Sequence, residues 1–151
     1  MSIDVLPYED SWLETAANIW SRSYRASDVA VPGLGHFAEL AERIQREITA
    51  GWSAWLALRS GEAVGFMAIK PKERQLHQLF VLPSAQGKGV GTTLLGHAKT
   101  QCHEGMWLSV FAENLGARRF YERHGFAEGL HCTHPQTQQE TIAYQWAPKV
   151  A

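Results

Sequence analysis

Cysteine is scarce in this chain of 151 residues: only Cys102 and Cys132 occur, and they form no paired spacing such as C-x-x-C. That argues against a disulfide framework and leaves the expectation of two reduced thiols in a cytoplasmic protein. An excess of charge is missing too, since 14 Lys and Arg against 15 Asp and Glu leave a net charge of −1. No basic surplus exists to release counterions from a polyanion, so no nucleic-acid partner is expected. No apolar run approaches the roughly 20 residues that cross a bilayer, and Met1-Ser2-Ile3-Asp4 lacks the basic flank and apolar centre of a secretory signal. No membrane association is therefore expected. Repeats, low-complexity tracts and Pro/Gly/Ser-rich linkers are absent as well, so residues 1–151 are expected to form a single domain. His131, Cys132 and His134 have the spacing H-C-x-H, which matches no usual structural zinc pattern. With no complete tetrahedral set in view, this stretch reads as a solvent-facing turn and no metal is expected.

What is present describes an ordinary globular protein. Hydrophobic residues make up 45% and charged residues 19% of the chain. A chain of about 150 residues buries roughly 68–70% of its unfolded surface, enough for a sizeable core. Ile3 to Leu6 reads as a short opening strand stopped by Pro7. From Asp10 to about Tyr24, Leu13, Ala16, Ala17 and Trp20 recur at helical spacing. Ser27 to Gly35 holds Pro32, Gly33 and Gly35 and reads as a loop. Phe37, Leu40, Ala41, Ile44 and Ile48 then mark a second amphipathic helix ending near Gly51. Trp52 to Leu58 and Ala63 to Ile69 form a hairpin around Arg59-Ser60-Gly61-Glu62. Leu76 to Leu82 is a third strand, preceded by the charged turn Pro71-Lys72-Glu73-Arg74. A helix from Val90 to Cys102, a strand from Met106 to Phe111, a helix from Asn114 to His124 and strands over Phe126–Cys132 and Glu140–Trp146 complete a mixed α/β domain around one sheet.

The segment from Leu79 to Thr92 runs from a strand, through a glycine loop, into a helix. Its core is Gln86-Gly87-Lys88-Gly89-Val90-Gly91. Glycines let the backbone adopt positive φ and approach a ligand closely. The helix that follows offers unpaired amides and a partial positive charge, so the loop can cradle a phosphate without a basic patch. Two familiar cradles fail on spacing. A Walker A loop needs G-x-x-x-x-G-K-[ST], and no Gly-Lys pair here is followed by Ser or Thr. A dinucleotide fingerprint needs G-x-G-x-x-G, yet counting from Gly87 the sixth residue is Thr92. Taken alone, the loop is as readily a plain turn with helix-capping glycines as a phosphate cradle.

Its surroundings carry more. Val81-Leu82-Pro83-x-x-Gln86-Gly87-x-Gly89-x-Gly91 closely resembles the coenzyme A loop of the GNAT superfamily of N-acetyltransferases. Asn114-Leu115-Gly116-Ala117-Arg118-Arg119-Phe120-Tyr121-Glu122-Arg123-His124-Gly125-Phe126 resembles that family's second signature, N-x-x-A-x-x-x-Y-x-x-x-G-F. The two lie at the family's usual separation, and the order of elements from Met1 onward also fits. The resemblance implies a mixed, mostly antiparallel sheet flanked by helices, with a splayed strand pair at an acetyl-CoA cleft. It further implies direct transfer of an acetyl group to a primary amine of a small molecule or peptide. Acetyl-CoA would be a cosubstrate, and a homodimer through the final strands is possible.

By the same resemblance Leu79, Phe80 and Val81 line the pantetheine arm, and the amides of Gly87, Lys88, Gly89, Val90, Gly91 and Thr92, next to Gln86, hold the pyrophosphate. Asn114 hydrogen-bonds the arm, and Tyr121 donates a proton to the departing thiolate, a role suited to a phenol. The rival roles are a helix N-cap for Asn114 and a packed aromatic for Tyr121. Arg118, Arg119 and Arg123 read as an exposed helical face. Many family members place a glutamate where this chain has Gln75 or Ser109. His77, two residues past Gln75 and on the same face by strand alternation, is the residue left to accept the amine's proton, directly or through water. Alternatively His77 is a polar cleft residue and water alone suffices. Trp20, Tyr24 and His36 are candidates to shape the acceptor pocket. A second reading is a coenzyme A-binding sensor or subunit without catalysis, and a third is a nucleotide-binding regulatory domain.

Overall fold

The computed structural model describes residues 2–149. Strand β1 (Ile3–Pro7) is followed by a single 3-10 turn (Asp10–Trp12), α1 (Leu13–Arg25) and α2 (Phe37–Thr49). Next come β2 (Ser53–Arg59), β3 (Glu62–Lys70), β4 (Gln75–Val81), α3 (Val90–Gln101) and β5 (Met106–Phe111). The described chain closes with α4 (Leu115–Arg123), β6 (Ala127–Thr133) and β7 (Glu140–Trp146). Two expected boundaries move. β1 continues through Pro7, which pairs with Trp55; on an edge strand the missing N–H of proline costs no ladder bond. The helix expected from Asp10 begins as a 3-10 turn and becomes α-helical only at Leu13.

The seven strands form one sheet in the order β1-β2-β3-β4-β5-β7-β6. Every neighbouring pair is antiparallel except β4 and β5, which are parallel and share one register pair, Gln75 with Trp107. Two crossovers follow from this order: α3 links β4 to the parallel β5, and α4 links β5 to β6, the two strands that flank the antiparallel β7. Both helices pack on one face. Val90, Leu94, Leu95 and Ala98 of α3 join Met67, Leu76, Leu108, Ile142 and Tyr144 of the sheet in one buried cluster, against which Phe120 and Tyr121 of α4 are packed. The opposite face of β2 to β4 is covered by α1 and α2, through Ala16, Ala17, Ile19, Trp20, Leu40 and Ile44 against Leu56, Phe66 and Ala68. Trp20 stacks on Phe66 and Phe80 and is only 4% exposed, so it is core and not a pocket wall.

A β-bulge shapes β4. Ala68 pairs with Gln78 and Ile69 with Leu76, leaving His77 as the extra residue. The phase of the strand therefore shifts: Leu76, Leu79 and Val81 pack with the α3 cluster, whereas His77 contacts Trp52 and Phe80 stacks on Trp20 on the other face. Simple alternation would have kept His77 on the face of Leu79 and Val81.

At Gly65 of β3, α3 lies tight against the sheet. A methyl group there would stand 2.9 Å from Leu94 Cδ1, 3.0 Å from Val90 Cγ1 and 3.2 Å from Ala57 Cβ. All three neighbours are fully buried and have no free direction in which to yield. Gly65→Ala should therefore destabilise the fold by about 1–3 kcal/mol through overpacking, read as a lower urea midpoint at unchanged m-value.

Candidate active site

Because β4 and β5 pair only near their starts, where Gln75 meets Trp107, the two strands diverge toward Val81 and Phe111. The backbone edge of β4 that carries Leu79 and Phe80 thus faces an opening instead of a neighbour. The Val81 carbonyl is engaged differently: it accepts the Ser23 hydroxyl at 3.0 Å and the Gln86 amide at 3.2 Å. Both crossover helices start at the wide end of the gap, which brings the glycine loop and Asn114 to the same mouth.

The loop holds its amides ready. Gln86 N–H donates to Pro83 at 3.4 Å and Thr93 N–H to Gly89 at 3.0 Å. Between them, the amides of residues 87–92 make no hydrogen bond among the described residues. Gly87 (φ +77°) and Gly89 (φ +86°) adopt left-handed backbone conformations; a would-be side chain meets nothing within 4 Å at Gly87 and only Ile3 Cδ1, at 4.0 Å, at Gly89. Gly89 sits at the N-cap of α3, so the helix's positive end opens onto this exposed arc of donors. That arc has the geometry and polarity to hold a pyrophosphate. Lys88 is exposed beside it.

The second motif lies against the first. A methyl group on Gly91 would stand 3.3 Å from Phe120 Cζ, so the start of α3 and the middle of α4 are nearly in contact. His124 Nδ1–H donates to the Phe120 carbonyl at 2.7 Å, which leaves Nε2 to accept from Thr92 Oγ1 at 3.3 Å. Lys99 Nζ donates to the His124 carbonyl at 2.6 Å, with the ammonium 5.7 Å from the Phe126 ring and 5.0 Å from the Trp146 ring. Asn114 does cap α4, its Oδ1 accepting the Ala117 N–H at 3.2 Å, so only its NH2 group remains to donate elsewhere. Tyr121 lies ~10 Å back along the helix from that cap, held edge-on by Phe120 and Phe126. Its hydroxyl has no protein partner among the described residues, and desolvation pushes the phenol well above its ordinary value. Arg118 corrects the expectation of an exposed basic face: it donates to Tyr144 Oη, the Ala112 carbonyl and Glu128, tying α4 to the sheet.

On the other face, His77 Nδ1 accepts the Trp52 indole N–H at 2.8 Å, and Glu47 Oε2 lies 3.8 Å from the same nitrogen. Desolvation holds His77 below the ordinary imidazole range, helped by Lys70 and Arg43 and opposed by Glu47 and Glu73. Tyr24 clamps the loop between α1 and α2, its hydroxyl accepting the Val31 N–H at 2.9 Å and its ring standing against Gly35. His36 is exposed at the start of α2. Beyond the gap, β5 turns Ser109 to solvent on the face that α1 and α2 leave bare. His131 and Cys132 lie on β6, where His131 bonds Glu128 and Glu140. Among the described residues no group of three or more His, Cys, Asp or Glu side chains could hold a metal ion. No helix there is long and apolar enough to cross a membrane.

A sheet parted in this way suits proteins that pass the long arm of an anionic carrier through the gap and act on its tip, as acyltransferases do. The chain belongs to the acetyltransferase (GNAT) family, whose model matches residues 13–126. It is 31% identical to the peptidyl-lysine N-acetyltransferase YjaB of Salmonella typhimurium over 72% of each chain. It is 35% identical to an uncharacterized N-acetyltransferase of Methanocaldococcus jannaschii, over 46% of this chain and 36% of that protein. The chain thus spans about a third of that archaeal relative's length. In fold it is similar to the PaiA N-acetyltransferase of Thermoplasma acidophilum crystallised with coenzyme A, with a TM-score of 0.76, 18% identity and coverage of 98% and 100% of the two chains.

The lowered His77 value makes stability pH-dependent. An unfolded histidine takes up its proton near pH ~6.5, while the folded protein delays this to lower pH. Within that window the unfolded state binds more protons, so the His77 contribution is present above it and is lost as pH falls through the folded value. Urea midpoints of wild type and His77→Gln should therefore converge, or cross, as the pH is taken from 7.5 to about 5. A difference independent of pH would remove this assignment.

Proposed function

We propose that residues 1–151 act as one domain that transfers the acetyl group of acetyl-CoA to a primary amine of a small molecule or peptide, by direct attack in a ternary complex. The observation that carries this reading is the arc of free amides from Gly87 to Thr92 at the mouth of the parted β4–β5 pair. When bound, acetyl-CoA supplies the activated thioester. The amides of Gly87, Lys88, Gly89, Val90, Gly91 and Thr92 hold the pyrophosphate, and Gln86 braces the loop from Val81. The open edge of β4 at Leu79 and Phe80, with Val81 at its end, guides the pantetheine arm, and the Asn114 NH2 group donates to it. Tyr121 Oη holds the proton that the departing sulfur takes: burial keeps the phenol protonated before the reaction, the proton passes to the sulfur as the carbon–sulfur bond breaks, and the phenolate then regains a proton from water. As the amine nitrogen bonds to the acyl carbon and the carbon–sulfur bond breaks, the amine's own proton leaves to water or to a group on the α1–α2 face. The bare face of β5 around Ser109 leaves space for a peptide, so the lysine side chain named for the Salmonella relative is the first acceptor to try. A homodimer through the final strands belongs to the same reading, since β6 is exposed along its whole length at the sheet edge.

Gln75 and Ser109, which stand where a carboxylate base would be sought, favour the second reading of a coenzyme A-binding module without turnover. Thiol release from acetyl-CoA, measured against polyamines, amino acids and lysine peptides, separates the two. For the transferase, Tyr121→Phe should lower kcat by about 10²–10⁴-fold while coenzyme A affinity by calorimetry stays near wild type. Binding with no turnover on any amine would favour the module.

A further inference from the structure

His77 is the one titratable side chain that the β4 bulge turns onto the acceptor side of the parted sheet. Its ring stands edge-on to Trp52, with centroids 5.5 Å apart and planes at 82°. An indole N–H donates and never accepts. The 2.8 Å contact from Trp52 Nε1 therefore makes Nδ1 the unprotonated nitrogen, and the neutral ring must carry its proton on Nε2. Nε2 has no protein partner among the described residues, and the side chain keeps 20% of its surface exposed. Trp52 itself is only 5% exposed, wedged against Trp20 and Phe66, so its indole cannot turn away.

The charged groups around the ring come from every element packed against it: Arg43 and Glu47 on α2, Lys70 on β3, and Glu73 in the turn before β4. Of these Glu47 is close, with Oε2 3.8 Å from Nδ1, beyond hydrogen-bond length but within reach of a small ring movement. Protonation would set an Nδ1–H against the Trp52 N–H, two donors with nothing between them. Glu47 is the acceptor that relieves that clash.

We propose that Trp52 is a positioning residue that fixes His77 as its Nε2–H tautomer, so that His77 presents a hydrogen-bond donor to the acceptor side and takes up a proton only by moving Nδ1 from Trp52 to Glu47. This rests on the acetyl-transfer reading for its consequence: the exposed nitrogen orients an oxygen of the acceptor, such as a peptide carbonyl beside the target lysine, and the amine's proton leaves to water. It revises the expectation that His77 itself accepts that proton, because the lone pair that a base needs is already taken by Trp52.

The first test needs no acceptor. Nitrogen-detected NMR of the full chain carrying ¹⁵N-labelled histidine, with the His77 resonances assigned by their loss in His77→Gln, reports the tautomer at pH 7.5. The expected result is Nε2–H in wild type, a mixed tautomer and a higher titration midpoint in Trp52→Phe, and a lower midpoint in Glu47→Gln. Nδ1–H in wild type overturns the proposal, even if Trp52→Phe does not fold. The second test uses whichever amine is turned over. A glutamine amide can accept from Trp52 through oxygen and donate through nitrogen, so His77→Gln should restore most of the kcat lost in His77→Ala, to within about threefold of wild type. A loss of about 10²-fold or more in both variants would assign proton acceptance to His77 and overturn the donor role. If no amine turns over, the transferase reading fails while the tautomer result still stands or falls by NMR.

Discussion

β4 and β5 run parallel but pair only where Gln75 meets Trp107, and the unpaired backbone beyond that point constrains everything around it. An opened sheet exposes N–H and C=O groups that a continuous ladder would satisfy. The gap persists only because both strands are held from elsewhere. β4 is paired along its length with β3, and β5 with β7. Each strand also feeds a crossover helix on the same face, so the gap's mouth is framed by two helix starts, one offering free amides and the other the capping residue Asn114. The same divergence creates the cleft and brings the two sequence motifs to it.

The two helices are bound to each other more tightly than either motif requires. Gly91 admits Phe120 because it lacks a side chain. His124 joins Thr92 to the end of α4, and Lys99 reaches the His124 carbonyl with its ammonium set against Phe126 and Trp146. These contacts fix the distance between the amide arc and Tyr121. Under the acetyl-transfer reading proposed above, a carrier gripped at its phosphates would deliver its tip reproducibly to one hydroxyl only if that distance does not vary. On the opposite face, Trp20, Trp52, Phe66 and Phe80 form an aromatic layer that seats α1 and α2 and also sets the orientation of His77.

Most elements were legible because their signals are local. The helical spacing of Val90, Leu94, Leu95 and Ala98, and the turn residues around Gly61, act within a few positions, and β5 and β7 fall on the expected residues. The glycine loop was legible for the same reason, since positive φ and a helix start are properties of the loop itself. Trp52 and Glu47 were not legible as partners of His77. They act across 25 and 30 residues through a bulge, and no periodicity announces an extra residue in a strand. Arg118 likewise read as one of three exposed basic residues, yet its partners Tyr144 and Glu128 come from strands that follow it in the chain.

The order of helices and strands and the two motifs that mark the family are written in short stretches of residues, because these depend on local backbone preferences and spacing. Which strands part, which amides stay free, and which nitrogen of His77 carries the proton emerge in the assembled fold alone. Those outcomes depend on groups far apart in the chain meeting at hydrogen-bond distance, and such meetings are fixed by packing around the sheet.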